Sequence, residues 1–177
     1  MKSLRLTIIL GAVAVLVLTG ASLAAVALVG GPRPRPVVTG CSSPSFAGTV
    51  VDVTLADMGR GMMTGGRMRL VPEVRSVPHG RVSFVAANRG SVPHELVVLP
   101  LGEGQRVGAR IVGADGRIGE DGAAGEASAS CGEGAGDGVL PGAESWVTLT
   151  LAPGRYELVC NLPGHYAAGM YAELTVS

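Results

Sequence analysis

Close to its C-terminus the chain carries Cys160, His165 and Met170 at a C-x4-H-x4-M spacing, a thiol, an imidazole and a thioether within one short segment. A second imidazole, His94, stands far upstream in the segment Ser91–Leu96. Soft sulfur ligands favour Cu(I), imidazole suits both copper oxidation states, and a weak axial thioether lets the coordination change little on redox. Two His and one Cys with a distant Met therefore point to a one-electron copper site, one ion per chain, with His94, Cys160, His165 and Met170 as ligands. Four protein ligands leave no open position for a substrate, so the expected role is electron carriage and not catalysis. Taken singly, each residue has a plainer reading. An exported His is usually a surface residue, a Cys half of a disulfide, a Met core packing. It is their joint spacing that carries the chemistry.

The ligands need a scaffold, and the scaffold read from the chain is all-β. Val51, Val53 and Leu55 alternate with Asp52 and Thr54; Val82, Phe84 and Ala86 alternate with Ser83 and Val85. Leu96–Leu99 is apolar on both faces, as in a central strand. Val147, Leu149 and Leu151 alternate with Thr148 and Thr150, and Pro153-Gly154 then turns the chain. Tyr156, Leu158 and Cys160 share one face, as do Met170, Ala172, Leu174 and Val176. Period-2 patterning with no helical stretch after residue 48 predicts a sandwich or barrel spanning 48–177. On this reading Cys160 and Met170 sit on the inward faces of their strands and His94 opens another strand.

One stretch breaks the pattern. Residues 102–144 form a long insertion, rich in glycine and without an aromatic residue until the next strand. Within 102–142 the acids (Glu103, Asp115, Glu120, Asp121, Glu126, Glu133, Asp137) outnumber Arg106, Arg110 and Arg117. Loops of this length are either functional or loosely ordered, and two readings stand: a solvated surface excursion, or an acidic docking surface.

Composition removes other classes. With 14 Lys+Arg against 14 Asp+Glu the chain has no net charge and lacks the basic stripe of a nucleic-acid binder. Three His and three Cys are too few for a zinc ribbon or a multi-copper oxidase. At the N-terminus, Lys2 and Arg5 precede Leu6–Pro32, a run without charge. Its apolar portion, Ile8–Val29, would span ~33 Å as a helix, enough to cross a bilayer. Residues 1–31 are read as an uncleaved membrane anchor or a signal peptide cut after Ala25-Val26-Ala27, and 32–47 as a Pro-rich linker. Either way the rest of the chain is exported, to the extracytoplasmic face of the cytoplasmic membrane or beyond. Export permits disulfides, and with Cys160 assigned to metal, Cys41 and Cys131 remain to pair. Val38–Cys41 also looks like a bacterial lipobox, though set apart from the apolar run, so lipidation of Cys41 is the alternative.

The ligand loop resembles that of the cupredoxins, specifically the sulfocyanin and rusticyanin type, which share this C-x4-H-x4-M spacing. Gly80–Asn88, Gly90 and His94–Val98 also look like the family's strand leading to its first His. The resemblance covers about residues 48–101 and 145–177. It implies a Greek-key β-sandwich, copper held by His94, Cys160, His165 and Met170, and His165 as the exposed electron port. Leu162, Pro163, Ala167 and Ala168 would then form an apolar rim for brief docking of redox partners: a membrane oxidase, a cytochrome or another copper protein. Such a carrier is expected to work as a monomer. Several cupredoxins carry Asn or Ser directly after the first His, where it ties the ligand loops together; here Glu95 stands, so the tuning of the metal by its surroundings is open. A copper chaperone or storage module is the rival reading, resting on Met58, Met62, Met63 and Met68 in a glycine-rich stretch. A copper nitrite reductase would need further histidines that this chain lacks. His79 reads as a turn residue and Trp146 as core or rim packing.

Overall fold

The computed structural model describes residues 40–57 and 68–177. The proposed anchor or signal, the first half of the Pro-rich linker (32–39) and Met58, Met62 and Met63 lie outside the described residues. Every regular element among the described residues is a strand: β1 (Thr49–Asp57), β2 (Met68–Pro72), β3 (Ser76–Val77), β4 (Gly80–Asn88), β5 (Leu96–Leu101), β6 (Gly125–Ala127), β7 (Glu144–Leu151), β8 (Gly154–Val159) and β9 (Tyr171–Val176). They form a four-stranded sheet, β2-β1-β4-β7, and a five-stranded sheet, β3-β9-β8-β5-β6. β1 runs parallel to β4 and β3 parallel to β9, while the other pairs are antiparallel. No helix among the described residues is long and apolar enough to cross a membrane.

Alternation produces this arrangement directly. Val51, Val53 and Leu55 of β1 are buried while Val50, Asp52 and Thr54 face outward. They join Val82, Phe84 and Ala86 of β4, facing Leu96, Val98, Leu158 and Leu174 in one core. Each fully buried Leu or Phe contributes roughly 1.5–3 kcal/mol relative to exposure. The main strands fall where the patterning places them, and β2, β3 and β6 are additional. The first two are too short to establish a period, and β6 lies in a glycine-rich segment.

The insertion departs most from expectation. More than half of its residues are exposed, as in a surface excursion, but it is anchored: Ile118, Ala127, Ser128, Val139 and Ala143 are buried. β6 enters the second sheet beside β5, pairing Leu96 with Ala127 and Val98 with Gly125. Gly125 takes φ 155°, which favours glycine, and a Cβ there would push against Leu149 Cδ2 at 2.6 Å. The insertion also covers the outer face of the second sheet. Val97, Leu99 and Val159 consequently pack with Ile118 and Tyr166 in a separate apolar cluster. That explains why Leu96–Leu99 is apolar on both faces. On the same side, Glu157, fully buried, accepts from Arg110 Nε at 2.6 Å, from the Gly108 N–H at 2.6 Å and from the Tyr166 hydroxyl at 2.9 Å.

A disulfide joins Cys41 to Cys131 across 90 residues of sequence, pinning the insertion to the start of the domain. The bond leaves Cys41 no free thiol for lipidation. Trp146 lies within β7, edge-on to Phe46 with ring centroids 6.3 Å apart. His79 is an exposed turn residue whose Nδ1 lies 3.0 Å from the Ser177 carbonyl oxygen.

Candidate metal centre

Two chain segments build the centre at one end of the sandwich. His94 precedes β5 by two residues and forms an isolated bridge with Val139, so it is placed by the insertion and not by the strand itself. Cys160 directly follows β8 and Met170 directly precedes β9. The two lie opposite one another, with the Cys160 N–H donating to the Met170 carbonyl at 3.0 Å, and both are fully buried. The sequence reading put these two residues inside their strands. They instead flank a ladder that ends just before them, though their inward facing is as expected.

Between them the chain turns tightly. The His165 N–H donates to the Leu162 carbonyl at 3.0 Å and the Met170 N–H to the His165 carbonyl at 3.1 Å. These turns fold the half-buried His165 over the end of the core. Its Nδ1 lies 3.2 Å from Cys160 Sγ and 3.2 Å from His94 Nδ1. One donor atom from each of His94, Cys160 and His165 lies within 4.8 Å of the others.

The surroundings prepare these atoms for a cation. Asp57, at the end of β1, accepts at 3.1 Å from His94 Nε2, which leaves Nδ1 as the inward lone pair. The same carboxylate accepts from the Ser91 N–H and hydroxyl, each at 2.6 Å, and from the Val92 N–H at 3.3 Å. Burial works to raise its pKa, but these donors prevail and lower it to about 2. Gly90 makes the approach possible, since a Cβ there would fall on Asp57 Oδ1 and lie 2.8 Å from His94 Nε2. Burial lowers the pKa of both imidazoles, which favours the neutral form that can bind a metal. Burial also pushes the Cys160 thiol up to about 12, a cost that a bound cation removes by deprotonating the thiol outright. Two imidazole nitrogens and one buried thiol brought together form a donor set that suits copper.

Glu95 answers the question its position raises. Its N–H donates to Cys160 Sγ at 3.4 Å, and its carboxylate accepts the Asn161 N–H at 2.9 Å. The side chain therefore ties the two ligand segments together. Its pKa is raised to about 7, chiefly by burial, with Arg117 opposing and Glu120 and Glu126 adding. Asp57, Asn161 and Arg117 escaped the sequence reading. An acid ending an alternating strand and an Asn beside the Cys are faint signals for the first two, and nothing local marks Arg117.

Comparison with known proteins follows the same line. Residues 65–177 match the model of the sulfocyanin (SoxE) domain, a span that includes the insertion and all four candidate ligands. None of the curated proteins matches the chain. Among solved structures, the fold is similar to dithionite-reduced auracyanin from Roseiflexus castenholzii, with 21% identity over 73% of this chain and 99% of that one and a TM-score of 0.46. Rusticyanin from Thiobacillus ferrooxidans gives 20% identity over 75% and 80%, with a TM-score of 0.45. Auracyanin A from Chloroflexus aurantiacus, described as a "blue" copper protein, gives 19% over 72% and 99%, with a TM-score of 0.44. Superpositions at this level carry no functional inference. The domain match is different in kind, because it takes in well over half of the 177 residues, and on that ground the chain belongs to the sulfocyanin family of blue-copper cupredoxins.

Proposed function

We propose that this chain is a type 1 copper protein that passes single electrons between redox partners outside the cytoplasmic membrane, and that His94, Cys160, His165 and Met170 would hold its one copper. The observation that carries the reading is the convergence of two imidazoles and one buried thiol from distant segments, all within 4.8 Å. Cupredoxins are electron carriers and not enzymes, and the chain shares that character with its family. Copper, when bound, supplies a one-electron Cu(I)/Cu(II) couple. The protein's part is to hold its donors still. Asp57 fixes the His94 ring, the Glu95 N–H fixes the sulfur, and the turns at Leu162 and His165 fix the second imidazole. A donor set that does not rearrange keeps reorganisation small and transfer fast.

The half-buried His165 is the port, the side chain through which a partner reaches the site. Pro163, Ala167 and Ala168 are exposed around it and Leu162 half-exposed, an apolar rim suited to small, short-lived contacts. Export is supported by the uncharged run behind Lys2 and Arg5 and by the disulfide, which is at home in an oxidising compartment. An uncleaved N-terminal segment would tether the carrier to the membrane, with residues 32–47 as spacer and 48–177 as the electron-carrying domain.

The direct test is the visible absorption of the purified chain with added Cu(II), followed by ascorbate. An intense thiolate-to-copper band that bleaches on reduction, at one copper per chain, is the expected result. A colourless Cu(II) complex overturns the reading, and binding of several Cu(I) per chain would favour copper storage. A second expectation concerns Asp57. Asp57→Ala removes the acceptor for four donors, so copper affinity is expected to fall roughly 10–100-fold in competition titrations. Unchanged affinity would show that the His94 ring is held without it.

A further inference from the structure

Between Cys160 and His165 lie four residues, and the insertion grips them from outside. The Gly164 N–H donates to the Gly116 carbonyl at 2.9 Å. Arg117 Nη1 donates to the Asn161 carbonyl at 2.9 Å and lies 4.0 Å from Glu95 Oε1. The Ile118 N–H donates to Asn161 Oδ1 at 2.7 Å, and Asn161 Nδ2 donates to the Ile118 carbonyl at 2.9 Å and to Glu120 Oε1. Close approach is built in: Gly116 has φ +79°, and a Cβ there would lie 3.0 Å from the Gly164 nitrogen. A little further along, the Arg110 N–H donates at 3.1 Å to the hydroxyl of Tyr166, the residue after His165.

These contacts converge on the peptide units that join the two ligands. Asn161 is held at its N–H by Glu95, at its carbonyl by Arg117 and at its side chain by Ile118 and Glu120. Rotation of that peptide would swing Cys160 relative to His165. Glycine and alanine dominate the surrounding insertion, so one long planar cation among them reaching the ligand loop is a specific feature and not bulk packing.

We propose that Arg117 is a positioning residue for the metal centre: with Gly116 and Ile118 it locks the Cys160–His165 loop, so that sulfur and imidazole keep their spacing in both oxidation states. Its guanidinium also sets a fixed positive charge beside the Glu95 carboxylate, one residue from His94 and within reach of the field at Cys160. That charge favours the state that has gained an electron. The inference rests on the copper reading above.

Two variants of the full-length chain separate the roles. Arg117→Ala removes both the Nη1 donor and the charge, whereas Arg117→Lys keeps the charge on a differently placed, non-planar head. For Arg117→Ala, copper release to a Cu(I) chelator is expected to quicken roughly 10–100-fold, with a lowered reduction potential and a shifted thiolate-to-copper band. Arg117→Lys is expected to return the potential toward the parent while release stays fast. The thermal midpoint of the metal-free chain is expected to change little in both, because the Arg117 side chain is 40% exposed. Parent-like release, potential and spectrum in Arg117→Ala overturn the proposal. So does faster release that merely tracks a lowered metal-free midpoint. A parent protein that stays colourless with Cu(II) overturns the copper reading itself, an outcome visible before either variant is made.

Discussion

Cys160→Ser is expected to abolish the intense visible band of the Cu(II)-loaded chain while the β-sandwich survives. The oxygen of Ser is a hard, weakly donating neutral ligand, so the thiolate-to-copper transition has no origin and the softest of the donors is lost. Folding tolerates the exchange because the site is already polar. The Glu95 N–H that points at Sγ can meet the hydroxyl, and the side-chain volume barely changes. Burying a hydroxyl in place of a thiol costs roughly 1–3 kcal/mol, short of a typical domain's margin of roughly 5–15 kcal/mol. Absorption of the copper-loaded variant together with circular dichroism of its metal-free form checks both halves. An undiminished band in the variant would show that the sulfur of residue 160 is not a ligand.

Loss of the disulfide is expected to have the largest effect on stability. Cys41 and Cys131 close a loop with a sequence separation of 90, which in the chain-entropy account is worth about 4–5 kcal/mol. The pair joins the first described residues to the insertion, next to the point where the Cys131 N–H donates to the Glu144 carbonyl at 2.7 Å. Cys131 has φ 56°, a left-handed conformation uncommon for a residue other than glycine, and the bridge and that hydrogen bond hold it there. The Cys41→Ser/Cys131→Ser variant is expected to unfold roughly 10–20 °C lower, as followed by circular dichroism. Its copper band is expected to persist below the transition, since neither sulfur touches the centre. A midpoint within a degree or two of the parent would show that the unfolded chain gains little freedom from the cut. A vanished band in the folded variant would show that the insertion needs the bridge to keep its grip on the ligand loop.

These two expectations draw on different parts of the chain, and they divide what can be read locally from what cannot. The alternation of Val51, Val53 and Leu55, or of Val82, Phe84 and Ala86, is visible residue by residue, because a strand puts every second side chain on one face. The ligand set was legible for a related reason. Three of its four members lie within eleven consecutive residues, and a loop that short converges wherever it is placed. Cysteine count left the pair Cys41 and Cys131 once Cys160 was assigned. All of this is information carried by neighbours in sequence or by inventory.

The rest came from contacts between residues far apart in the chain. Asp57 meets His94 from 37 positions away, Arg117 meets Asn161 from 44, and Glu95 meets Asn161 from 66. No period or spacing announces such pairs, since each depends on the order in which strands are laid side by side. The insertion shows this most clearly. Its glycines and acids read as solvated loop, yet Gly125 and Gly116 are small because sheet and ligand loop press against them, and Glu120 faces Asn161. Composition described what the segment is made of. Only the packing of β5 against β6 and of residues 116–118 against the ligand loop decided that it would be part of the metal centre's frame, because backbone hydrogen bonds in a glycine-rich chain leave no side-chain pattern behind them.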